Sequence, residues 1–401
     1  MNSFPADLLS LLNEFIPPAE RDYLLQVCRH MYREAILFRY FSLTRHYSKQ
    51  FLQDSEFRKK VKSLVAYCGK QIALDLTAYA DFTPDDMAIL SSVHSLKLHH
   101  CNIIDVSPLH NVTVLDLSGC KNVEDISSLG NVQTLTVSGC SQVKDVSALC
   151  NVKHLNLTLC TKIADVGALS GLISLTFLHC DNVVDVSLLG GLHTLHLGSN
   201  RFISNVSALG NLTHLELFNC SQVTDVSALG QVRTLKLRGC HNITDVSMLG
   251  GVHTLDLSLC RGVTDVSALG KVHSLNLYLC TQVDDVCALG QVHTLNISYC
   301  ARITDVSALG GVHTLKMSNC SNVSDVSALG AVHTLNLENC VKITDVSALG
   351  GVHTLSLAYC HGLDVSALGG IYDLNLTGCT GIKPMSALNG VHTLRFENNF
   401  D

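Results

Sequence analysis

DVSMLGGVHTLDLSLCRGVT, residues 245–264, returns as DVSALGKVHSLNLYLCTQVD at 265–284 and as DVCALGQVHTLNISYCARIT at 285–304. Working outward, the same twenty-residue phrase fills most of the chain beyond residue 90. Cysteines fall at 120, 140, 160 and 180, then at every twentieth position from 220 to 360, with one more at 379. A fixed period of this length marks a solenoid, in which each repeat is one coil stacked on the next. Such stacks present surfaces, so the question of function becomes one of what the surface meets.

Within one coil, Val252, Leu255, Leu257, Cys260, Val263, Val266 and Leu269 are the apolar positions. Leu255 and Leu257 alternate about Asp256, the period-two pattern of a short strand with one face buried. Asp265 then precedes Val-Ser-Ala-Leu and Gly270. Asp is a good N-cap and Gly favours the position just past a helical turn. Four residues between those signals leave room for one 3-10 turn and no α-helix. A lone coil cannot bury its apolar side chains; a stack can. Strand centres counted from Leu74-Asp75-Leu76 to Leu394-Arg395-Phe396 predict about 17 coils. The expected fold is therefore an α/β solenoid. A parallel concave sheet of about 17 short strands faces a convex side of 3-10-like turns, with a small helical domain in front.

Composition narrows the function. Hydrophobic residues make up 47% of the chain and charged ones 15%, which excludes a disordered tract or a coiled coil. No apolar run reaches the length of a membrane span. The stretch MNSFPADLLSLLNEF lacks a basic n-region, so no signal peptide is expected. The expected compartment is the reducing cytoplasm, with the nucleus or an infected cell's cytoplasm as alternatives, and the eighteen cysteines are expected as thiols. Residues 71–401 carry sixteen Lys/Arg against twenty-seven Asp/Glu, and this acidic balance argues against nucleic-acid binding. No P-loop, G-x-S-x-G or H-E-x-x-H motif is present, so no enzymatic activity and no cofactor are expected. Absence of any C-x-x-C pair argues against zinc, and no metal is expected.

The pattern Val/Leu-x-x-Leu-x-Leu-x-x-Cys-x-x-Val/Ile resembles the leucine-rich repeat, in its cysteine-containing variety, over residues 72–401. Its D-V-S-x-L stretch is similar to the short turns of internalins. The resemblance implies that the corner cysteines, or Asn200 in the same column, hydrogen-bond to loop backbone inside the coil. Cys28, Cys68, Cys150 and Cys287 stand outside the column. A second column, His253, His273, His293, His313, His333 and His353, brings six imidazoles about 5 Å apart, near enough to repel when protonated. Tandem copying of near-identical coils accounts equally for its uniformity. His94, His193 and His392 fall outside it.

Against this constant frame, the strand positions that change from coil to coil carry the information. They include Leu178, Glu216, Phe218, Lys236, Arg238, Asp256, Tyr278, Tyr299, Lys316, Glu338 and Tyr359, all on the expected concave face. These are the candidate substrate-binding residues, with the aromatics as natural anchors. Drift at solvent-exposed positions is the competing explanation.

The first seventy residues have a different grammar. Leu8, Leu9, Leu12 and Phe15 lie at helical spacing before Pro17-Pro18, and Leu24, Leu25, Cys28 and Met31 begin a second helix. Residues 50–66 read as a third helix. The expected organisation is a helical domain at 1–45, a linking helix at 46–70 and the solenoid at 71–401. Phe4-Pro5, the Leu8-Leu9 pair, the Leu12, Phe15, Ile16 stripe and Asp22, Leu24, Leu25, Val27-Cys28-Arg29 resemble an F-box. The tryptophan usual after that run is missing. The resemblance implies a non-catalytic substrate-recognition subunit of an SCF-type cullin–RING ubiquitin ligase. Pro5, Leu8, Leu9, Leu12, Ile16, Leu24, Leu25 and Val27 would meet a Skp-type adaptor, and the repeats an unknown protein substrate. The alternative is a protein-binding scaffold whose helical head is only an N-terminal cap.

Overall fold

A computed structural model describes residues 40–67, 69–80 and 82–396. The chain divides into two compact units, residues 1–163 and 164–401. Eighteen strands are described, six in the first unit and twelve in the second, and all their pairings are parallel. Seventeen of them, from β2 (Gln71–Asp75) to β18 (Thr393–Arg395), contain the leucine centres counted from sequence. Pairing is in strict register. In β11 (Thr254–Asp256) and β12 (Ser274–Asn276), Thr254 faces Ser274, Leu255 faces Leu275 and Asp256 faces Asn276. Identical coils thus stack leucine on leucine, and both leucines of each Leu-x-Leu are buried from β4 (Val114–Asp116) to β17 (Asp373–Asn375), with Val, Phe, Ile or Met standing for the second in four coils.

Each coil returns through a 3-10 turn such as Ser267–Leu269, where Leu269 N–H donates to Val266 O at 3.0 Å. The acidic cap works one place further out than the sequence implies. Asp265 Oδ1 accepts the Ser267 N–H at 2.8 Å, and the turn itself begins after Val266. That backbone N–H, followed by the Ser267 hydroxyl, holds the Asp265 carboxyl below its usual range. Gly270 also has a different reason from the one expected. Its φ is −61°, ordinary right-handed backbone. What the column favours is a small residue, because a Cβ at Gly310 would stand 2.5 Å from the Ala328 carbonyl of the next coil.

Ahead of the regular coils the structure departs from the sequence reading. Tyr40–Leu43 is a strand, β1, paired parallel with β2, where a helical domain was expected to run to residue 45. The single helix expected over 50–66 is two, α1 (Arg45–Gln53) and α2 (Ser55–Tyr67). Asp54 divides them: its Oδ1 accepts the N–H groups of Glu56 at 2.9 Å and Phe57 at 3.0 Å, and so caps α2. Arg58 closes the end of α1 by donating to the carbonyls of Phe51 and Leu52, both at 2.8 Å. Phe51, Leu52, Val61 and Val65 are buried. Ser48, also buried, accepts the Asp75 N–H at 2.9 Å and ties α1 to β2. The first coil uses a true helix, α3 (Pro84–Leu90), with a Thr83–Asp86 capping box and proline in its first turn.

Candidate functional site

The strand face is built by alternation. In each coil the two leucines point inward and the residue between them points outward; the residue after them is outside in most coils, while Ser258, Ser298 and Ala358 are buried. Nine of the eleven candidate substrate-binding residues hold one of those two positions, Tyr299 and Tyr359 stand one place further on, directly ahead of the corner cysteines, and none of the eleven is buried. The adaptor candidates Pro5, Leu8, Leu9, Leu12, Ile16, Leu24, Leu25 and Val27 fall outside the described residues.

Several outward positions have a structural duty. Asp256 Oδ1 accepts the Ser258 N–H at 2.8 Å, and Asn276, Asn296, Asn336 and Asn375 make the same bond two residues ahead. An Asp or Asn there mimics a backbone turn and steers the chain out of the strand. The many Asp and Asn entries between the leucines are therefore part of the frame. Glu216 differs: its Oε2 lies 3.2 Å from His196 Nδ1 and 3.5 Å from Lys236 Nζ, a polar line across three strands. Such exposed pairs contribute little stability. Beside that line Leu178 and Phe218 close over Gly198, where a Cβ would stand 2.7 Å from Leu178 Cδ2 and 3.3 Å from Phe218 Cβ. Arg238 lies 5.9 Å from the Phe218 ring centroid. Further along, Tyr278 and Tyr299 meet edge to face at 5.3 Å.

The column just ahead of the cysteines has a backbone property that sequence reasoning missed. Every corner cysteine, and Asn200, is preceded by a residue with positive φ. Glycine takes the place at 119, 139, 239 and 378, and asparagine at 219, 319 and 339. These are residues that tolerate left-handed backbone. Yet Leu159, Leu259, Leu279, Tyr299 and Tyr359 occupy it too, with φ between 59° and 64°. Leu159, Tyr299 and Tyr359 are 48%, 40% and 45% exposed, so burial does not offset the strain. A left-handed bulky residue costs on the order of 1–2 kcal/mol.

Beneath this face runs the cysteine column. Cys260, Cys280 and Cys300 each donate S–H to the carbonyl 23 residues earlier, at 3.0, 3.0 and 3.1 Å. Cys101 belongs to the column as well, donating to Leu76 O at 3.2 Å. Its spacing of nineteen from Cys120 hid it from a count by twenties. Asn200 does the same work with an amide, donating Nδ2–H to Phe177 O at 2.9 Å and accepting the Cys180 N–H at 2.7 Å. Burial pushes the Cys260 and Cys300 thiols up to about 12. None of the sixteen described cysteines is in a disulfide. Among the described residues no group of three or more His, Cys, Asp or Glu is arranged to hold a metal ion. No helix among them is long and apolar enough to cross a membrane.

Strand, corner, bend and 3-10 turn, with leucines stacked in register, agree with a family model described as a leucine-rich repeat, which matches residues 148–170. The described coils have the leucine-rich-repeat fold. A leucine-rich-repeat protein of Leptospira interrogans has a similar structure at a TM-score of 0.52, with 18% identity over 82% of this chain and 90% of that one. The functional domain of InlJ from Listeria monocytogenes, described as including a cysteine ladder, gives 0.50 and 22% identity over 76% of this chain and 73% of that one. An internalin from the same species gives 0.39, with 20% identity over 89% of this chain and 94% of that one. No curated protein matches the sequence. At these identities the likeness to the Leptospira protein and to InlJ speaks for the leucine-rich-repeat fold alone.

Proposed function

We propose that this chain is a non-catalytic protein-recognition array acting in the cytoplasm, and that residues 1–45 make it a substrate receptor for an SCF-type cullin–RING ubiquitin ligase. The observation that carries the recognition reading is the placement of Leu159, Tyr299 and Tyr359. Glycine or asparagine would relax the left-handed position each occupies, and each leaves apolar surface in solvent. Strain retained at an exposed site is explained by what the side chain does for a partner. Within the second unit, Tyr299 and Tyr359 join Leu178, Phe218 and Arg238 in setting apolar anchors among charged residues, the composition of a binding patch.

The double variant Tyr299→Asn/Tyr359→Asn separates this reading from a packing role. Asparagine relieves the backbone, so thermal stability should hold or rise by up to about 1 kcal/mol. Proteins retained from a eukaryotic cell extract by the full chain should be lost. A variant that loses stability yet retains the same proteins would remove the site from this face.

The ligase reading rests on the F-box-like run around Leu8-Leu9 and Val27-Cys28-Arg29. One observation bears on the competing view of the head as a cap. Strand β1 and helices α1 and α2 already cover the edge of β2 with buried Phe51, Leu52, Val61 and Val65. Residues 40–67 of the head thus cap the array, as the scaffold reading expects, and the ligase reading rests on the residues ahead of them. A purified Skp-type adaptor should co-elute with the full chain and be lost with Leu8→Ala/Leu9→Ala. Failure of the unmodified chain to retain it would leave the protein a scaffold.

A further inference from the structure

The histidine column is a continuous stack. His253, His273, His293, His313, His333 and His353 lie face to face with centroids 4.6–4.8 Å apart and planes within 27°. Tyr372 continues it at 4.8 Å and His392 at 4.3 Å. Each ring stands on the residue just ahead of its strand, exposed to solvent. Nδ1 of His293, His313, His333 and His353 lies 3.2–3.3 Å from the Oγ1 of the following threonine, which fixes the ring plane.

The peptide that carries each ring also joins the coils. His293 O accepts the His313 N–H at 3.1 Å and the Thr314 N–H at 3.0 Å; His313 O accepts from His333 and Thr334 at the same distances. A force that parts two rings therefore pulls on the two hydrogen bonds that start the strand pairing. Neutral imidazoles stack favourably, and a lone imidazolium between two neutral rings is held by their π-faces. Once adjacent rings are both protonated, like charges under 5 Å apart repel.

We propose that this stack is a proton-operated spring, closed when the rings are neutral, which loosens the strands from β11 to β16 (Thr354–Ser356) when neighbouring rings take up protons. Because Lys316 lies in one of those strands and Tyr278, Tyr299, Glu338 and Tyr359 follow within three residues of the ends of others, mild acid would also release a bound partner. That consequence rests on the recognition reading above; the loosening does not.

The surrounding charges support it. Arg233 holds the equivalent place ahead of β10 (Thr234–Lys236), and its carbonyl receives the His253 and Thr254 N–H groups. Lys271 precedes His273 by two residues. At the far end Asp373 is paired with Arg395 at 2.6 Å. The charges acting on His313 are His293 and His333, and with slight desolvation of the ring as the leading cause they lower its pKa from the ordinary 6.5. A histidine lowered in the folded state contributes full stability above 6.5. As pH falls through that value the unfolded chain takes the proton first, and stability is lost. The caps Asp285, Asp305, Asp325 and Asp345 on the adjoining turns are held below the usual carboxylate range by turn N–H and hydroxyl or thiol groups, and so keep their charge in this window.

The test compares the full-length protein with His293→Gln/His313→Gln/His333→Gln. Urea midpoints followed by circular dichroism at about pH 7.5 and about pH 5.5 should fall on acidification for the unmodified chain and fall less for the triple variant. A His110→Gln/His361→Gln control should keep the full loss. In histidine-labelled protein the His313 resonance should titrate at higher pH once His293 and His333 are glutamine. Equal acid loss in the triple variant, or an unmoved His313 midpoint, would overturn the proposal. Neither readout requires a partner, so failure of the recognition reading leaves both standing.

Discussion

A thiol reagent added to the native protein should modify Cys150 and Cys287 and leave the fourteen corner cysteines untouched until the chain unfolds. Those two are exposed, and the other fourteen described cysteines are buried. Two effects multiply. Raising the Cys260 thiol from 9.0 to about 12 lowers its thiolate fraction at neutral pH by roughly a thousandfold. Its S–H also donates to Leu237 O at 3.0 Å inside the coil, so the reagent reaches it only through an opening event. Coils in a stack are held on both flanks, so openings in the middle are rare. Cys287 should lag behind an unhindered surface thiol, since the hydrogen bond its S–H donates to the Asp285 carboxylate, and then that group's charge, push it up. Asp285→Asn should quicken it. Site-by-site mass spectrometry after timed alkylation, native and in denaturant, reads all of this. Corner cysteines labelled at the rate of Cys150 would mean that coils open singly, and the column would be no more than a row of surface thiols.

The same column shows how far the sequence speaks. Period and polarity determine which residues face inward, because one coil's apolar side chains can be buried only by identical neighbours. The strand centres, the inward leucines and the corner cysteines are all legible from that. What the repeat hides is whatever leaves its period. Cys101 precedes Cys120 by nineteen residues, and Tyr372 follows His353 by nineteen, so a count by twenties drops both from columns they complete. Asp54 reads as one polar residue in a helical run, and only its bonds to Glu56 and Phe57 reveal a cap. The strain at Leu159, Tyr299 and Tyr359 is invisible for another reason: positive φ belongs to the position, and the Gly and Asn in neighbouring coils are its only trace. For the candidate site, the face was legible from alternation. Which of its residues shape the strand exit, as Asp256 does, was not.

Asn200→Ala should destabilise the second unit by roughly 2–5 kcal/mol, whereas Asn200→Cys should be close to neutral. Asn200 is fully buried, and its amide serves two backbone groups at once, Phe177 O and Cys180 N–H. Alanine removes both partners and leaves a cavity, and each buried group deprived of its hydrogen bond costs about 1–3 kcal/mol. Cysteine restores the arrangement of the other coils. Cys260 N–H turns back to Leu257 O at 2.9 Å, and Cys280 S–H donates to the same carbonyl at 3.0 Å. With Cys at 200, Cys180 N–H and the new thiol would converge on Phe177 O in that way. The geometry of the site would change accordingly. β7 (Ser174–Leu178), β8 (Thr194–Gly198) and β9 (His214–Phe218) are five residues long where most strands have three. The longer strands coincide with the Asn bond, which frees Cys180 N–H from closing the tight corner. Asn200→Cys should therefore shorten β7, and with it shift Leu178 relative to Phe218 over Gly198. Asn200→Asp should be the worst of the three, since a carboxylate has no hydrogen to offer Phe177 O and would be buried as a charge. Denaturant unfolding of the three variants fixes the order. If alanine and cysteine are equally destabilising, the column depends on the amide's shape and not on satisfying the strand-end carbonyl.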